Sequence, residues 1–329
     1  MNDEQPRGGG QPPAQPAESW ERETLTRLAF AALNEQRRAR RWGIFFKVLT
    51  FAYLFLLLVL LYAPREGAMA PGLAGRHTAL VEIKGVIADD APASADLVIS
   101  GLRAAFENEN AAGVIVRINS PGGSPVQAGY INDEIRRLRE KYPDKPVYAV
   151  VTDICASGGY YVAVAAQEIY ADKASLVGSI GVLSNGFGFV EAMKKLGIER
   201  RLYTAGEHKG FLDPFSPEDP EEVAHFKQVL ETTYRQFVEA VKQGRGDRLK
   251  GDEKKIFSGL VWSGEQSVEL GLVDGLGSSS WVARKLIGAE HIVDYTPRPS
   301  FLDRFAERLG AGAAQVIARG LGLEGRSLK

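Results

Sequence analysis

Three glycine-bearing turns interrupt apolar runs, and each carries a serine: "INSPGGSPVQAG" at 118–129, "ASGGYY" at 156–161 and "LVGSIGV" at 176–182. In the second, Ser157 stands between a strand-like run, "PVYAVVTDI", and a small apolar helix-like run, "YYVAVAA". Serine is a favoured helix N-cap, and that role alone accounts for a hydroxyl here. The same position also suits a nucleophile, because a helix N-terminus favours negative charge. Gly122 and Gly123 of the first turn follow a strand-like run and precede a helix-like one. Backbone N–H groups there can face a bound anion or a developing oxyanion. A plain tight turn explains any single Gly-Gly pair, so the first turn by itself decides nothing.

A serine nucleophile needs a base. The chain has four histidines, His77, His208, His225 and His291. His225 lies in the charged run "DPEEVAHF" and reads as a surface residue. His77 lies in a linker, and His291 near the C-terminal edge. None has the Asp or Asn context of a triad. A neutral lysine can do the same work. "YTAGEHKGFLDPF" at 203–215 sets Lys209 among Tyr203, Phe211, Leu212 and Phe215, and an apolar environment disfavours an ammonium. A lysine on a loop is otherwise an ordinary surface residue. The single cysteine, Cys155, is two residues from Ser157, and strand alternation turns it inward rather than into a nucleophilic position.

The elements that must position these residues alternate. Strands are expected at "TALVEIKGVI", "GVIVRI", "PVYAVV", "EIYAD", "SIGVL" and "ERRLYTA". Helices are expected at "ADLVISGLRAAFEN", "SPVQAGYINDEIRRLREKY", "SGGYYVAVAA", "DPEEVAHFKQVLETTYRQFVEAVKQG" and "SGEQSVELG". This order predicts an α/β domain on a largely buried sheet. With 329 residues there is chain enough for a substantial core. A net charge of −1 gives no nucleic-acid footprint, and one cysteine excludes an internal disulfide framework.

Residues 44–62, "IFFKVLTFAYLFLLLVLLY", contain Lys47 and Thr50 as their only clearly polar members. At 1.5 Å per residue they span about 28 Å, close to the thickness of a bilayer core. A core helix and a cleaved leader are the other readings of such a run, the latter with "AMA" at 68–70 as a cleavage site. Arg37, Arg38, Arg40 and Arg41 precede the run, so the N-terminus is expected on the cytoplasmic side. The expected layout is a cytoplasmic tail over 1–41, partly disordered, an anchor over 42–63 and a linker over 64–77. A catalytic domain over 78–295 and a helical tail over 296–329 follow.

"RINSPGGS", "ASGGYYVA", "GSIGV" and "YTAGEHKGFLDPF", in this order, resemble the signal peptide peptidase A family of membrane-anchored serine peptidases in its short form. The resemblance covers about residues 78–295. It implies a Clp protease/crotonase-like fold, a repeated β-β-α superhelix, preceded by one transmembrane helix. It implies a Ser–Lys dyad, with Ser157 as nucleophile, Lys209 as general base and Ser179 hydrogen-bonded to that lysine. Gly122 or Gly123, with the Gly158 N–H, matches the oxyanion hole. It implies no cofactor and no metal. The implied partners are apolar peptides such as signal-peptide remnants, membrane lipid, and further copies of the chain in a ring, an octamer by the family's pattern, with no nucleic acid. The implied place is the bacterial inner membrane, with the catalytic domain on the periplasmic face. A crotonase-like acyl-thioester enzyme and an inactive scaffold of the same fold are the alternatives.

Overall fold

The computed structural model describes residues 17–62 and 75–297. Residues 1–16 of the expected cytoplasmic tail, most of the linker and nearly all of the C-terminal tail lie outside the described residues. The chain divides into two units, Met1–Ala68 and Met69–Lys329.

In the first unit, helix α1 runs Ala17–Tyr62. Its stretch Glu35–Leu58 has a mean hydropathy of 1.6 and none of it is buried, so by length and composition it can cross a membrane. Trp42, Phe45, Phe46, Phe51 and Phe55 are all more than half exposed along it.

The second unit begins with β1 (His77–Lys84), α2 (Ala95–Glu107), β2 (Ala111–Ser120), α3 (Pro125–Lys141), β3 (Val147–Ala156), α4 (Gly158–Ala163), β4 (Glu168–Ala171) and β5 (Leu176–Gly178). It continues with α5 (Val190–Lys195), α6 (Pro220–Arg245), α7 (Glu253–Ile256), β6 (Val261–Ser263), α8 (Gly264–Glu269), β7 (Gly275–Leu276), α9 (Ser279–Val282) and β8 (Ile292–Asp294). Among the described residues eight strands form one sheet, in the order β6-β5-β3-β2-β1-β8, with β4 also on β3 and β7 on β4. Every pairing is parallel except β5 with β6. The expected α/β class is what the chain adopts.

The pattern of the strands follows from burial on both faces. On β2, Val114, Val116 and Ile118 pack with the helices on one face. Ile115 faces the other way, with Leu80, Val150, Val282 and Ile287. Helix α3 has Ser124 as N-cap, accepting from the Gln127 N–H, and Pro125 in its first turn. It buries Ala128, Ile131, Ile135 and Leu138, one stripe at helical spacing. Each such aliphatic side chain larger than Ala contributes about 1.5–3 kcal/mol on leaving water. Glu134 on the same helix is buried between Arg103 and Arg137, each 2.7 Å away.

A second charged cluster ties the end of α6 to the sheet. Arg245 is 2% exposed, and its guanidinium meets Asp274 at 2.6 Å, with Arg248 at 3.1 Å from the other carboxylate oxygen. Asp274 also accepts the Ile169 N–H of β4.

Two expected strands do not form. "SIGVL" fails because the ladder ends at Gly178, and Leu183 beyond it is 79% exposed. Residues 199–205 are exposed throughout and pair with no strand among the described residues, so their alternation has no edge to lie against. His77 is not in a linker: it heads β1, fully buried, with its ring stacked on Tyr295.

Candidate active site

The site is built where β3 and β5 end together. Ala156 pairs with Gly178, and the next residue on each strand turns through a left-handed backbone: Ser157 has φ 53° and Ser179 has φ 51°. A non-glycine residue in that region stores strain of order 1–3 kcal/mol, which persists only where neighbours over-determine it. Here they do. The Ser157 N–H donates to the Gly178 carbonyl at 2.8 Å, and the Ser179 N–H to the Leu260 carbonyl at 2.7 Å. Upstream, β2 and β3 fall out of step: Ile118 pairs with Val151 but Ser120 with Cys155, so a bulge sets Thr152, Asp153 and Ile154 against Asn119 alone. That bulge sets where the strand delivers Ser157.

Ser157 precedes α4 but does not cap it. Its ψ of −124° is not that of an N-cap, and its hydroxyl makes no cap hydrogen bond. The hydroxyl is therefore left for chemistry, on a half-buried residue.

The first glycine turn lies against it. Gly122 has φ 99° and Gly123 φ 147°, both in the region glycine favours. The Gly122 carbonyl accepts from Ile87 N, the Ser124 N–H donates to the Ile87 carbonyl, and the Gly122 N–H donates to Ser120 Oγ at 3.1 Å. The Gly123 N–H takes part in none of these bonds. The Gly158 N–H is the first of its helix and has no intrahelical acceptor. A side chain on Gly158 would bring its Cβ within 3.3 Å of Gly123 N, which measures how closely the two glycines approach. Of the two glycines the sequence left open, Gly123 is the one with an unspent donor. Two such N–H groups beside a hydroxyl can bind the oxygen of a tetrahedral adduct.

Ser157, Gly158, Gly123 and Ser179 line one cavity of about 630 Å³, with Tyr161, Val182, Leu183 and Phe237 on its apolar side. No lysine, histidine or carboxylate is among the described residues lining it. Lys209 is exposed, on a run of turns between residues 205 and 216, and does not line this cavity. Phe211, Leu212 and Phe215 are each more than a third exposed, so within one chain they do not enclose it. Cys155 is fully buried, and burial pushes its thiol pKa up. His225 and His291 are exposed, and neither reaches the cavity.

Sequence reasoning missed Ile87 and Ser120, which pin the glycine turn, and Tyr161 and Phe237, which wall the cavity. Ser120 sits in a quoted motif, but its partner, the amide two residues on, has no sequence signature. Phe237 is one apolar position on a long amphipathic helix.

The model of peptidase family S49 matches residues 139–291. A Synechocystis sp. relative that carries a protease name is 32% identical over 203 residues, covering 62% of this chain and 70% of that protein. Protease 4 of Haemophilus influenzae is 31% identical over 220 residues, covering 66% of this chain and 35% of that protein. A Brucella abortus protein named Na(+)/H(+) antiporter NhaA is 46% identical over 187 residues, covering 57% of this chain. The chain spans only 25% of that relative's length.

Proposed function

The chain belongs to peptidase family S49, and from that membership we propose that it is a membrane-anchored serine endopeptidase working through a Ser157–Lys209 dyad. The single observation that carries this reading is the cavity. It presents a free hydroxyl on a strained turn beside two unspent backbone donors, and its described lining supplies no base.

Lys209 then enters from a neighbouring copy in a homo-oligomeric ring. Its exposure on a turn outside the cavity of its own chain supports this reading. Inside a partner's cavity, desolvation favours the neutral amine. Neutral Lys209 takes the Ser157 proton as Oγ attacks the peptide carbonyl. The oxyanion forms against the Gly123 and Gly158 N–H groups. The lysine ammonium protonates the leaving amine, and the neutral amine next activates water to release the acyl group. Ser179 orients the lysine amine by a hydrogen bond without adding negative charge.

Substrates are apolar peptides such as remnants of cleaved signal peptides. Val182, Leu183 and Phe237 in the cavity and the apolar stretch of α1 support this. A faster turnover of Lys- or Glu-rich peptides than of Leu- or Phe-containing ones contradicts it. The arginines before residue 42 argue for a cytoplasmic N-terminus and a periplasmic catalytic domain at the bacterial inner membrane. A reporter fused after residue 76 reads that orientation.

The deciding experiment labels the wild type and Ser157→Ala with a serine-directed probe, then mixes Ser157→Ala with Lys209→Ala subunits. Labelling lost in Ser157→Ala, with peptidase activity regained on mixing, supports the shared dyad. No labelling of the wild type points to the inactive scaffold. Turnover of an acyl thioester without peptide cleavage points to the crotonase-like alternative.

A further inference from the structure

The turns that carry Lys209 are held against the start of α6 by one carboxylate. Glu222, in the first turn of that helix, has a side chain only 13% exposed. One of its oxygens lies 3.2 Å from His208 Nδ1, and the other accepts the Leu212 N–H at 3.3 Å. These two contacts bracket Lys209. Leu212 is the third described non-glycine residue at positive φ, 54°, beside Ser157 and Ser179. Around the two contacts the chain makes successive four-residue turns, Lys209 N to Gly206 O, Phe211 N to His208 O and Asp213 N to Gly210 O. Phe211 packs edge-on against both His225 and Phe226 of α6.

A surface loop without a task needs neither a mostly buried carboxylate nor a strained leucine. The geometry points to Glu222 as a positioning residue: through His208 and the Leu212 amide it clamps the turn that presents Lys209. The inference rests on Lys209 being the base. The charged groups facing His208 are Glu207 on its own turn and Glu221 and Glu222 on α6, with His225 lining the same small cavity of about 380 Å³. The Glu222 hydrogen bond raises the His208 pKa above its ordinary 6.5, with the neighbouring carboxylates adding and burial opposing. A raised pKa means that the charged clamp is fully present below 6.5 and is lost as pH rises through the ionisation of His208 in the fold.

The test compares Glu222→Ala, Glu222→Gln and Lys209→Ala in the full-length protein in detergent, with kcat and KM for an apolar peptide measured across pH. Glu222→Ala is expected to lose about tenfold to 10²-fold in kcat, the scale of a misplacement near 1 Å, with KM within about twofold. Glu222→Gln keeps the shape and an acceptor for the Leu212 amide but loses the charge. Its deficit in kcat is expected below pH 6.5 and to close as pH rises. Wild-type kcat in Glu222→Ala, or a Glu222→Gln deficit that does not change with pH, overturns the clamp. If Lys209→Ala is inactive in the same series, the dyad survives that failure. Wild-type turnover by Lys209→Ala overturns both.

Discussion

Gly122 and Ser157 stand so close that position 122 has no room for a side chain. A Cβ there would lie 2.7 Å from the Ser157 Cβ and 2.6 Å from Gly158 N. The φ of 99° separately penalises any other residue. Gly122→Ala is therefore expected to displace the serine or the donor beside it. Loss of one oxyanion donor costs about 10²–10³ in kcat, and the variant should fall by at least that much. Hydrolysis of a chromogenic peptide measures it, and a variant within tenfold of the wild type would show that the turn does not touch the chemistry.

Cys155 offers a control on the identity of the nucleophile. It is fully buried on β3, opposite Val177 of β5, and burial pushes its thiol pKa up. The thiolate is the reactive form, so the native protein should resist alkylation. Iodoacetamide is expected to leave peptidase activity intact and to modify Cys155 only after unfolding. Inhibition that tracks alkylation of Cys155 would move the nucleophile two residues upstream.

Asp274 and Glu134 predict the acid limit of stability. Burial pushes the Asp274 carboxyl up, but the Arg245 hydrogen bond and charge, the Ile169 amide and Arg248 together hold it below its ordinary 3.8. Hydrogen bonds from Arg137 and Arg103 hold Glu134 at about 2 against burial, from an ordinary 4.5. Depressed carboxyls add stability above their unfolded pKa and lose it as pH falls through the folded one. Stability should thus decline from about pH 4.5 toward pH 2. Asp274→Ala strands Arg245 in the interior and is expected to cost about 3–5 kcal/mol. Denaturant midpoints at pH 7 and pH 3 read both effects. An Asp274→Ala midpoint equal to that of the wild type at pH 7 would rule the pair out as a support.

What the sequence made legible were features with a local cause. The stripe Ala128, Ile131, Ile135 and Leu138 repeats at helical spacing, and Ser124-Pro125 marks the start of that helix, so residue order alone places α3. Arg117 apart, the run "GVIVRI" is apolar on both faces because the sheet is covered on both, and it falls inside β2. Features that depend on a distant partner were not legible. Val261–Ser263 is a strand only because β5 lies antiparallel beside it. Residues 199–205 have a strand-like composition and no edge to join. Lys209 has apolar neighbours in sequence, but nearness along a turn does not enclose a side chain, and on one chain it remains exposed. The cavity combines both kinds: Ser157, Ser179, Gly123 and Tyr161 sit in recognisable motifs, while Phe237 enters it from a helix whose packing no motif encodes.

The outer strand of the sheet bears on how the domain is made. β1, which opens the catalytic unit, takes β8 as its outer neighbour, with Thr78 opposite Ile292. The strap after β8 continues the seam: Tyr295 N bonds to Leu80 O, and Thr296 accepts from Glu82 N across 214 residues of sequence. It then passes over α2 so tightly that a Cβ on Gly101 would meet Pro297 at 2.8 Å. Contacts of such sequence separation form late and slowly, because the loop they close must first surrender its entropy. A chain emerging from the ribosome shows its first strand long before the last one exists. Until residues 292–297 arrive, that edge is unpaired, so a chain interrupted before them lacks the seam that locks the first strand in place.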